Sequence, residues 1–137
     1  MYELNKYETK HCQLALCQAE QSPFVKETGR NFRHGAVLYN KSTVINAAYN
    51  QKRYSSFSRM FTSDLYCANV HAEIGCILNI PKHHTQHSNI LVVRINPKGE
   101  MRNSEPCDMC MAAMMFAGIK SVVYSTDQNK FDKIRLY

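Results

Sequence analysis

Two short groups of metal-binding residues, His71-Ala72-Glu73 and the pair Cys107 and Cys110, constrain the fold of this chain more than any other feature. Histidine nitrogen and cysteine sulfur are ligands that zinc prefers, and three protein ligands leave one coordination position open, as in catalytic zinc sites. One ion can bind all three residues only if the fold brings the two groups together. The sequence therefore predicts a zinc site formed by His71, Cys107 and Cys110.

The spacing C-x-x-C is a weak signal by itself, because zinc ribbons and redox motifs share it. A zinc ribbon needs a second such pair, which the sequence lacks, and a thioredoxin-like motif needs neither Pro106 nor a distant His-x-Glu. Glu73 supports a catalytic site, since a carboxylate that lies beside a metal without binding it can carry protons. A structural zinc, or a core histidine with unrelated thiols, is the alternative interpretation.

Both groups of ligands are predicted at the starts of helices. VHAEIGCILNI at 70–80 has a helical pattern, and a second helix is predicted over Cys107–Ala117, where Gly118 is a typical helix stop. The unpaired N–H groups and the positive dipole end at a helix start favour thiolates. These positions are therefore suited to metal ligands.

The remaining pattern predicts an α/β fold, a three-layer α/β/α sandwich with a mixed sheet of four to five strands. A helix over Glu3–Glu20 is followed by a β-hairpin and then by two helix–strand units. The predicted strands are His34–Tyr39, Thr43–Tyr49, Ile90–Ile95 and Lys120–Ser125.

The last residues, STDQNKFDKIRLY, are too few for a crossover helix and a further parallel strand. They predict either a tight return at Asp127–Lys130, with Ile134–Tyr137 pairing antiparallel, or a short docked helix. The segment from Asn50 to Asn69 lacks periodicity and is predicted to be a loop with one helical turn.

Composition limits the environment and the partners. The 137 residues contain no repeat or linker, which predicts a single domain over 1–137. The charged start MYELNKYETK is unlike a signal peptide, and no apolar run is long enough to cross a membrane, so a cytoplasmic protein is expected. In the cytosol the six cysteines are expected to be metal ligands or thiols. The formal charge of +6 permits a nucleotide or nucleic acid partner.

H-A-E at 71–73 followed by P-C-D-M-C at 106–110 resembles the signature of the cytidine deaminase superfamily of zinc deaminases. HGAVLY, TVINAAYN and GIKSVVYST are similar to strands of that family, so the resemblance extends over most of the chain. It implies a cytidine deaminase-like domain that hydrolyses the exocyclic amine of a nucleobase.

The resemblance also implies roles for single residues. It makes Zn²⁺ the cofactor, Glu73 the proton carrier and Asn50 a contact of the base or ribose, and it places the N–H of Ala72 towards the base carbonyl. Without the resemblance, Asn50 is better interpreted as a turn residue that caps a strand. Expected partners are a nucleoside, a nucleotide or single-stranded nucleic acid, and further copies of the chain in a homo-oligomer.

Motifs within the family point to different substrates. HAEI and EPCDMCMAAM are similar to tRNA adenosine and guanine deaminases, whereas the long insertion after Asn50 and the segment AGIKSVVYST resemble deoxycytidylate deaminases. The polar segment KGEMRNSE departs from the apolar stretch that usually precedes P-C. Cytosine in a nucleoside or nucleotide is the predicted substrate, with adenosine in tRNA and a catalytically silent nucleotide-binding module as alternatives.

Other residues allow a functional and a structural interpretation. Cys67 is either an additional ligand or a loop thiol, and the histidines at 83, 84 and 87 either bind a metal or phosphate or lie in a solvated loop. Arg53 and Arg59, interleaved with aromatic residues, are predicted to be available to a phosphate, although the aromatic residues can instead pack on the core. The methionine-rich helix after Cys107 suits a core or a subunit contact.

Overall fold

The computed structural model describes residues 1–23, 26–27, 30–31, 33–63 and 69–137. Over these residues the chain forms helices α1 to α5 and strands β1 to β10. No helix among them is long and apolar enough to cross a membrane. The helices are α1 (Lys6–Gln21), α2 (Ser56–Arg59), α3 (Ala72–Ile77), α4 (Lys82–Thr85) and α5 (Asp108–Ala117). The strands are β1 (Lys26–Glu27), β2 (Arg30–Asn31), β3 (Arg33–Asn40), β4 (Thr43–Tyr49), β5 (Gln51–Tyr54), β6 (Asn69–Val70), β7 (Asn89–Ile95), β8 (Met101–Arg102), β9 (Ser121–Asp127) and β10 (Lys130–Arg135).

The main sheet has the strand order β10-β9-β7-β3-β4, and the two-residue strand β8 pairs with the end of β7. Strands β7 and β9 are parallel, and the other neighbours in this sheet are antiparallel. The sheet is therefore mixed, as predicted, and β8 adds a short sixth strand to the predicted four to five.

Two hydrophobic clusters lie on opposite faces of this sheet, because side chains alternate along each strand. Helix α1 packs on one face, where Ala15 and Ala19 join Val37 and Leu91 in the first cluster. Helices α3 and α5 cover the other face, and their apolar residues form the second cluster with the intervening positions of the same strands. The three-layer α/β/α sandwich is thus confirmed.

Helix α1 begins three residues later than predicted because Asn5 caps it. The Asn5 side chain accepts a hydrogen bond from the Glu8 N–H at 2.8 Å, and the Glu8 carboxylate accepts one from the Asn5 N–H at 3.0 Å. The same carboxylate is buried and also accepts hydrogen bonds from the Tyr2 and Tyr39 hydroxyls, each at 2.7 Å. This capping box joins the helix start to β3.

Gly35 allows α1 and β3 to approach closely. A Cβ atom at this position would lie 1.9 Å from the carbonyl oxygen of Ala15 and 2.5 Å from the backbone nitrogen of Ala19. The absence of a side chain is therefore required by the packing of backbone against backbone.

The segment between β4 and α3 contains more structure than the predicted loop. Strands β5 and β6 form a short antiparallel pair, and α2 supplies the expected helical turn. Cys67, considered above as an additional ligand, lies outside the described residues. The segment's aromatic residues Phe57 and Phe61 pack against the second cluster. This agrees with the structural alternative given above, in which these aromatic residues pack on the core.

The C-terminal residues form the antiparallel return that was the first of the two predicted alternatives. Strand β10 pairs antiparallel with β9 after a turn in which Asn129 has a φ of 57°. The strand starts at Lys130, earlier than the predicted Ile134, and Tyr2 pairs with its Phe131. The edge of the sheet is thus formed by the chain's last strand.

Candidate metal centre and active site

The predicted ligands meet at the starts of two helices. His71 is the N-cap of α3, Cys107 is the N-cap of α5, and Cys110 lies in the first turn of α5. The His71 Nδ1 atom is 3.3 Å from the Cys110 Sγ atom and 3.6 Å from the Cys107 Sγ atom. All three donor atoms lie within 4.8 Å of one another.

This geometry fits zinc. Zinc–sulfur bonds of about 2.3 Å and zinc–nitrogen bonds of about 2.0 Å, at tetrahedral angles, separate the donor atoms by roughly 3.5 to 3.8 Å. The two distances from His71 are close to those values, so a small adjustment of side chains suffices to bind the ion. Cys107 is exposed and Cys110 is buried, which leaves the site accessible from the Cys107 side.

A hydrogen bond between the two cysteine side chains shifts their pKa values in opposite directions. A hydrogen bond from the Cys110 thiol lowers the pKa of Cys107 to about 4, against the opposing effect of burial and with help from His71. The same bond, together with burial, raises the pKa of Cys110. Zinc binding therefore requires the release of the Cys110 proton, which is the usual coupling of metal binding to ligand ionisation.

Glu73 lies in the first turn of α3, two residues after His71, and its side chain is buried. Burial raises the pKa of its carboxyl group, while the positive charge of His71 partly opposes that shift. The carboxyl group also interacts with the Cys110 thiol. Glu73 is thus enclosed beside the three potential metal ligands, where its carboxyl group contacts the Cys110 thiol.

Asn50 follows β4, and its carboxamide oxygen binds to the protein itself. This oxygen accepts hydrogen bonds from the His34 N–H at 2.8 Å and from the Ser22 hydroxyl at 2.6 Å. Asn50 therefore joins the end of α1 to the start of β3, as expected for a residue that caps a strand. Its contact with a substrate stays a prediction, as does that of Ala72, which is fully buried at the start of α3.

The polar segment before Pro106 is anchored by two buried serines. The Ser104 hydroxyl lies 3.0 Å from the carbonyl oxygen of Val92 and 2.8 Å from the Ser125 hydroxyl, and it accepts a hydrogen bond from the Ser125 N–H at 2.9 Å. The Ser125 hydroxyl in turn donates to the carbonyl oxygen of Arg102. This network fixes the chain three residues before Cys107.

Three residues of the site region were missed by the sequence interpretation: His34, Arg94 and Ser104. His34 and Arg94 are directly paired across β3 and β7. The available signal was the charged or polar side chain at the end of an otherwise apolar strand, in RHGAVL and in ILVVRI. Ser104 gave no comparable signal, because its role depends on a hydrogen bond to β9.

The other candidate residues are at the surface and make local contacts. The Arg53 Nε–H donates to Gln51 and an Arg59 Nη1–H donates to the Thr62 carbonyl, both at the surface. His83 and His84 are exposed on α4, with ring centroids 4.1 Å apart. Among the described residues, none of these histidines joins a cluster of potential metal ligands.

Comparison with known proteins gives one family and several similar structures. Residues 6–126 match the family model described as the cytidine and deoxycytidylate deaminase zinc-binding region. No curated protein sequence matches the chain significantly.

Among solved structures, the chain is similar to RibD of Acinetobacter baumannii in its form 2, with a TM-score of 0.56 and 15% identity over 88% of this chain. The chain spans only 28% of that RibD protein. It is also similar to the apo form of a dCMP deaminase from the cyanophage S-TIM5, with a TM-score of 0.58 and 14% identity. That match covers 90% of this chain and 86% of the phage protein. Because the sequence identities are this low, the similarity to these structures is evidence for the fold alone.

Proposed function

Because the chain belongs to the family that carries the cytidine and deoxycytidylate deaminase zinc-binding region, we propose that it is a zinc-dependent hydrolase that deaminates cytosine in a nucleoside or nucleotide. The observation that carries the proposal is the buried carboxyl group of Glu73 beside the cluster of His71, Cys107 and Cys110. A purely structural zinc site does not require a buried carboxyl group beside its ligands.

The ligand residues and the proton carrier have separate roles. His71, Cys107 and Cys110 would hold the ion, which when bound supplies Lewis acidity that lowers the pKa of water. The two cysteines place their sulfur atoms at the start of α5, where the helix dipole stabilises negative charge. The helices that carry the ligands pack on the sheet, and this packing positions the three side chains.

Glu73 moves the protons of the reaction. Water adds to C4 of cytosine, and the carboxylate accepts the proton that water loses and delivers it to the ring nitrogen N3. Glu73 then carries the second water proton to the exocyclic amine, the C4–N bond breaks, and ammonia leaves as the C4 carbonyl forms. The enclosed position of Glu73 suits this shuttle, because it excludes bulk water from the transferred proton.

Cytosine is favoured over a purine by features outside the metal site. The antiparallel return of β10 resembles that of free cytidine deaminases, and the long segment after Asn50 resembles deoxycytidylate deaminases. Adenosine in tRNA is the second candidate, supported by HAEI, EPCDMC and the formal charge of +6. It predicts binding that weakens steeply as the salt concentration rises.

A substrate panel tests the proposal. Zinc-loaded protein is incubated with cytidine, deoxycytidine, their monophosphates, guanine, single-stranded DNA and tRNA, and the products are identified by mass spectrometry. Uracil products from a nucleoside or nucleotide are expected. Inosine in tRNA without any uracil product would reject cytosine, and no product from the whole panel would favour a silent binding module.

We also propose that the protein acts inside the cell as a homo-oligomer. An intracellular location would keep the ligand thiols reduced. Self-association is supported by the large apolar side chains Met60, Met115 and Phe116, which are 66%, 46% and 56% exposed. Light scattering should give a mass above that of one chain, and Phe116→Ser should lower it. A monomeric wild-type protein would contradict the proposal.

A further inference from the structure

A row of paired side chains runs along β3 and β7 on the face that carries the metal ligands. The antiparallel register places facing residues side by side, and alternate positions share one face. The pairs are Leu38 with Ile90, Ala36 with Val92, and His34 with Arg94. The first two pairs belong to the hydrophobic cluster beneath α3 and α5. The row therefore changes from apolar to polar at its last pair.

His34 occupies the end of this row, on the face of the sheet that also carries Cys110. Its backbone is fixed by Asn50, whose carboxamide oxygen accepts from the His34 N–H at 2.8 Å and whose N–H donates to the His34 carbonyl at 3.3 Å. The imidazole is half-buried, and burial is the largest of the effects that lower its pKa. A neutral imidazole has one donor and one acceptor.

Arg94 lies next to His34 and connects it to the segment that leads to the cysteines. One Nη1–H of Arg94 donates to the carbonyl oxygen of Asn103 at 3.2 Å, four residues before Cys107. The Arg94 side chain is half-buried at the end of a central strand. Because His34 and Arg94 face each other across β3 and β7, the guanidinium group lies on the same face of the sheet as the imidazole.

We propose that His34 is a specificity-determining residue that hydrogen-bonds the nucleobase beside the metal ligands, and that Arg94 positions it. This inference rests on the proposed function and adds the residue that distinguishes one base from another. The edges of cytosine, adenine and guanine differ in their donors and acceptors. A pocket that hydrogen-bonds one base leaves a polar group unpaired with another, which discriminates more strongly than apolar contact does.

Equilibrium binding tests the role of His34 without requiring turnover. Zinc-loaded Glu73→Gln protein, with and without His34→Val, is titrated by calorimetry with the monophosphates of deoxycytidine, deoxyadenosine and deoxyguanosine. His34→Val should lower the affinity for the preferred nucleotide by about tenfold or more. It should also reduce the ratio of that affinity to the affinities for the other two nucleotides. His34→Asn, which retains a donor and an acceptor, should preserve part of the preference. His83→Val changes an exposed histidine on α4 and should have no effect.

The role of Arg94 is tested by a double-mutant cycle with the same titrations. If Arg94 acts through His34, Arg94→Gln should reduce the base preference in the protein with His34 but should change it little in the His34→Val protein. Arg135→Gln removes the same charge near the far end of the sheet and should leave the preference intact.

Two results would overturn the inference in protein that retains its zinc: a base preference unchanged within twofold by His34→Val, or equal effects of Arg94→Gln with and without His34. Turnover by the protein with Glu73 is measured separately. A base preference that depends on His34, in a protein without deaminase activity, would reject the proposed function and leave the binding role of His34 in place.

Discussion

Glu73 is a carboxylic acid enclosed beside three metal ligands, so its exchange for an amide of the same size separates binding from chemistry. Glu73→Gln should keep the zinc content and the fold and lower kcat/KM by about 10² to 10⁴, because only proton transfer is removed. Zinc is measured by atomic absorption and kcat/KM by steady-state kinetics. If the variant lost its zinc, Glu73 would be a ligand and the proposed mechanism would be wrong.

Ser104 holds the chain that presents Cys107, and its hydroxyl is buried among polar partners. Ser104→Ala should lower the free energy of unfolding by about 1 to 3 kcal/mol, because those partners lose a hydrogen bond. It should also weaken zinc binding, since the segment before Cys107 is less well fixed. Competition with a chromophoric chelator measures the zinc affinity, and urea titration measures the stability.

Ser121→Ala is the matched control for Ser104→Ala. Ser121 is also buried, but its hydroxyl donates to Asn89 at the other end of β9. Its replacement should cost stability without changing the zinc affinity. Equal zinc affinities in the two variants would show that Ser104 does not position the ligands.

The ligands were predictable from the sequence because their residue types and spacing follow from zinc chemistry, whichever fold surrounds them. His34 and Arg94 were not predicted, because their importance depends on a register between two strands that are distant in the sequence. A local pattern of alternating residues gives the face of each strand but does not give the residue that lies opposite.

Elements with a clear period were predicted better than elements without one. The β-hairpin and the central strands follow from apolar runs between turns, and the helix carrying the cysteines ends as predicted at Gly118, which has a φ of 80°. Helix α3 ends at Ile77, earlier than predicted, because the backbone turns at Leu78 and Asn79 has a φ of 63°. The short strands β5, β6 and β8 depend on pairing partners, which the local sequence does not specify.

The contact between α1 and β3 depends on Gly35. Gly35→Ala should lower the free energy of unfolding by about 1 to 3 kcal/mol or more, because the added Cβ would overlap the backbone of Ala15 and the helix must move away. Gly99→Ala is the control: a Cβ there meets no atom within 4 Å, so its cost is limited to the backbone strain of alanine at a φ of 81°. Equal losses of unfolding free energy in the two variants, measured by chemical unfolding, would contradict the close approach of α1 to β3.

The metal centre joins two helices from separate parts of the chain, so zinc should stabilise the whole molecule. Cys107→Ser or Cys110→Ser should lower both the zinc content and the Tm, because binding free energy contributes to folding. If residues 1–137 form a single domain, unfolding should occur in one transition. Cys17→Ser alters an exposed thiol on α1 and should change neither quantity. Metal-free protein with the wild-type Tm would contradict the zinc assignment.

The layer arrangement was predictable because each helix of an α/β chain must cover an apolar face of the sheet. A parallel last strand was excluded because the C-terminal residues are too few for a crossover. The choice between an antiparallel return and a docked helix was left open, and β10 pairs antiparallel with β9. The assignment of each helix to one face could not be predicted, because it is decided by contacts such as that of Gly35 with α1.

The separation of the two hydrophobic clusters by the sheet implies that the two sides respond differently when zinc is removed. The ligands fix only α3 and α5, whereas α1 is held on the opposite face by Gly35 and by the buried Glu8 network. Chelation should therefore accelerate amide hydrogen exchange in α3 and α5 much more than in α1. Mass spectrometry measures the exchange rates. If amide exchange rose equally in all three helices, the molecule would open as one unit.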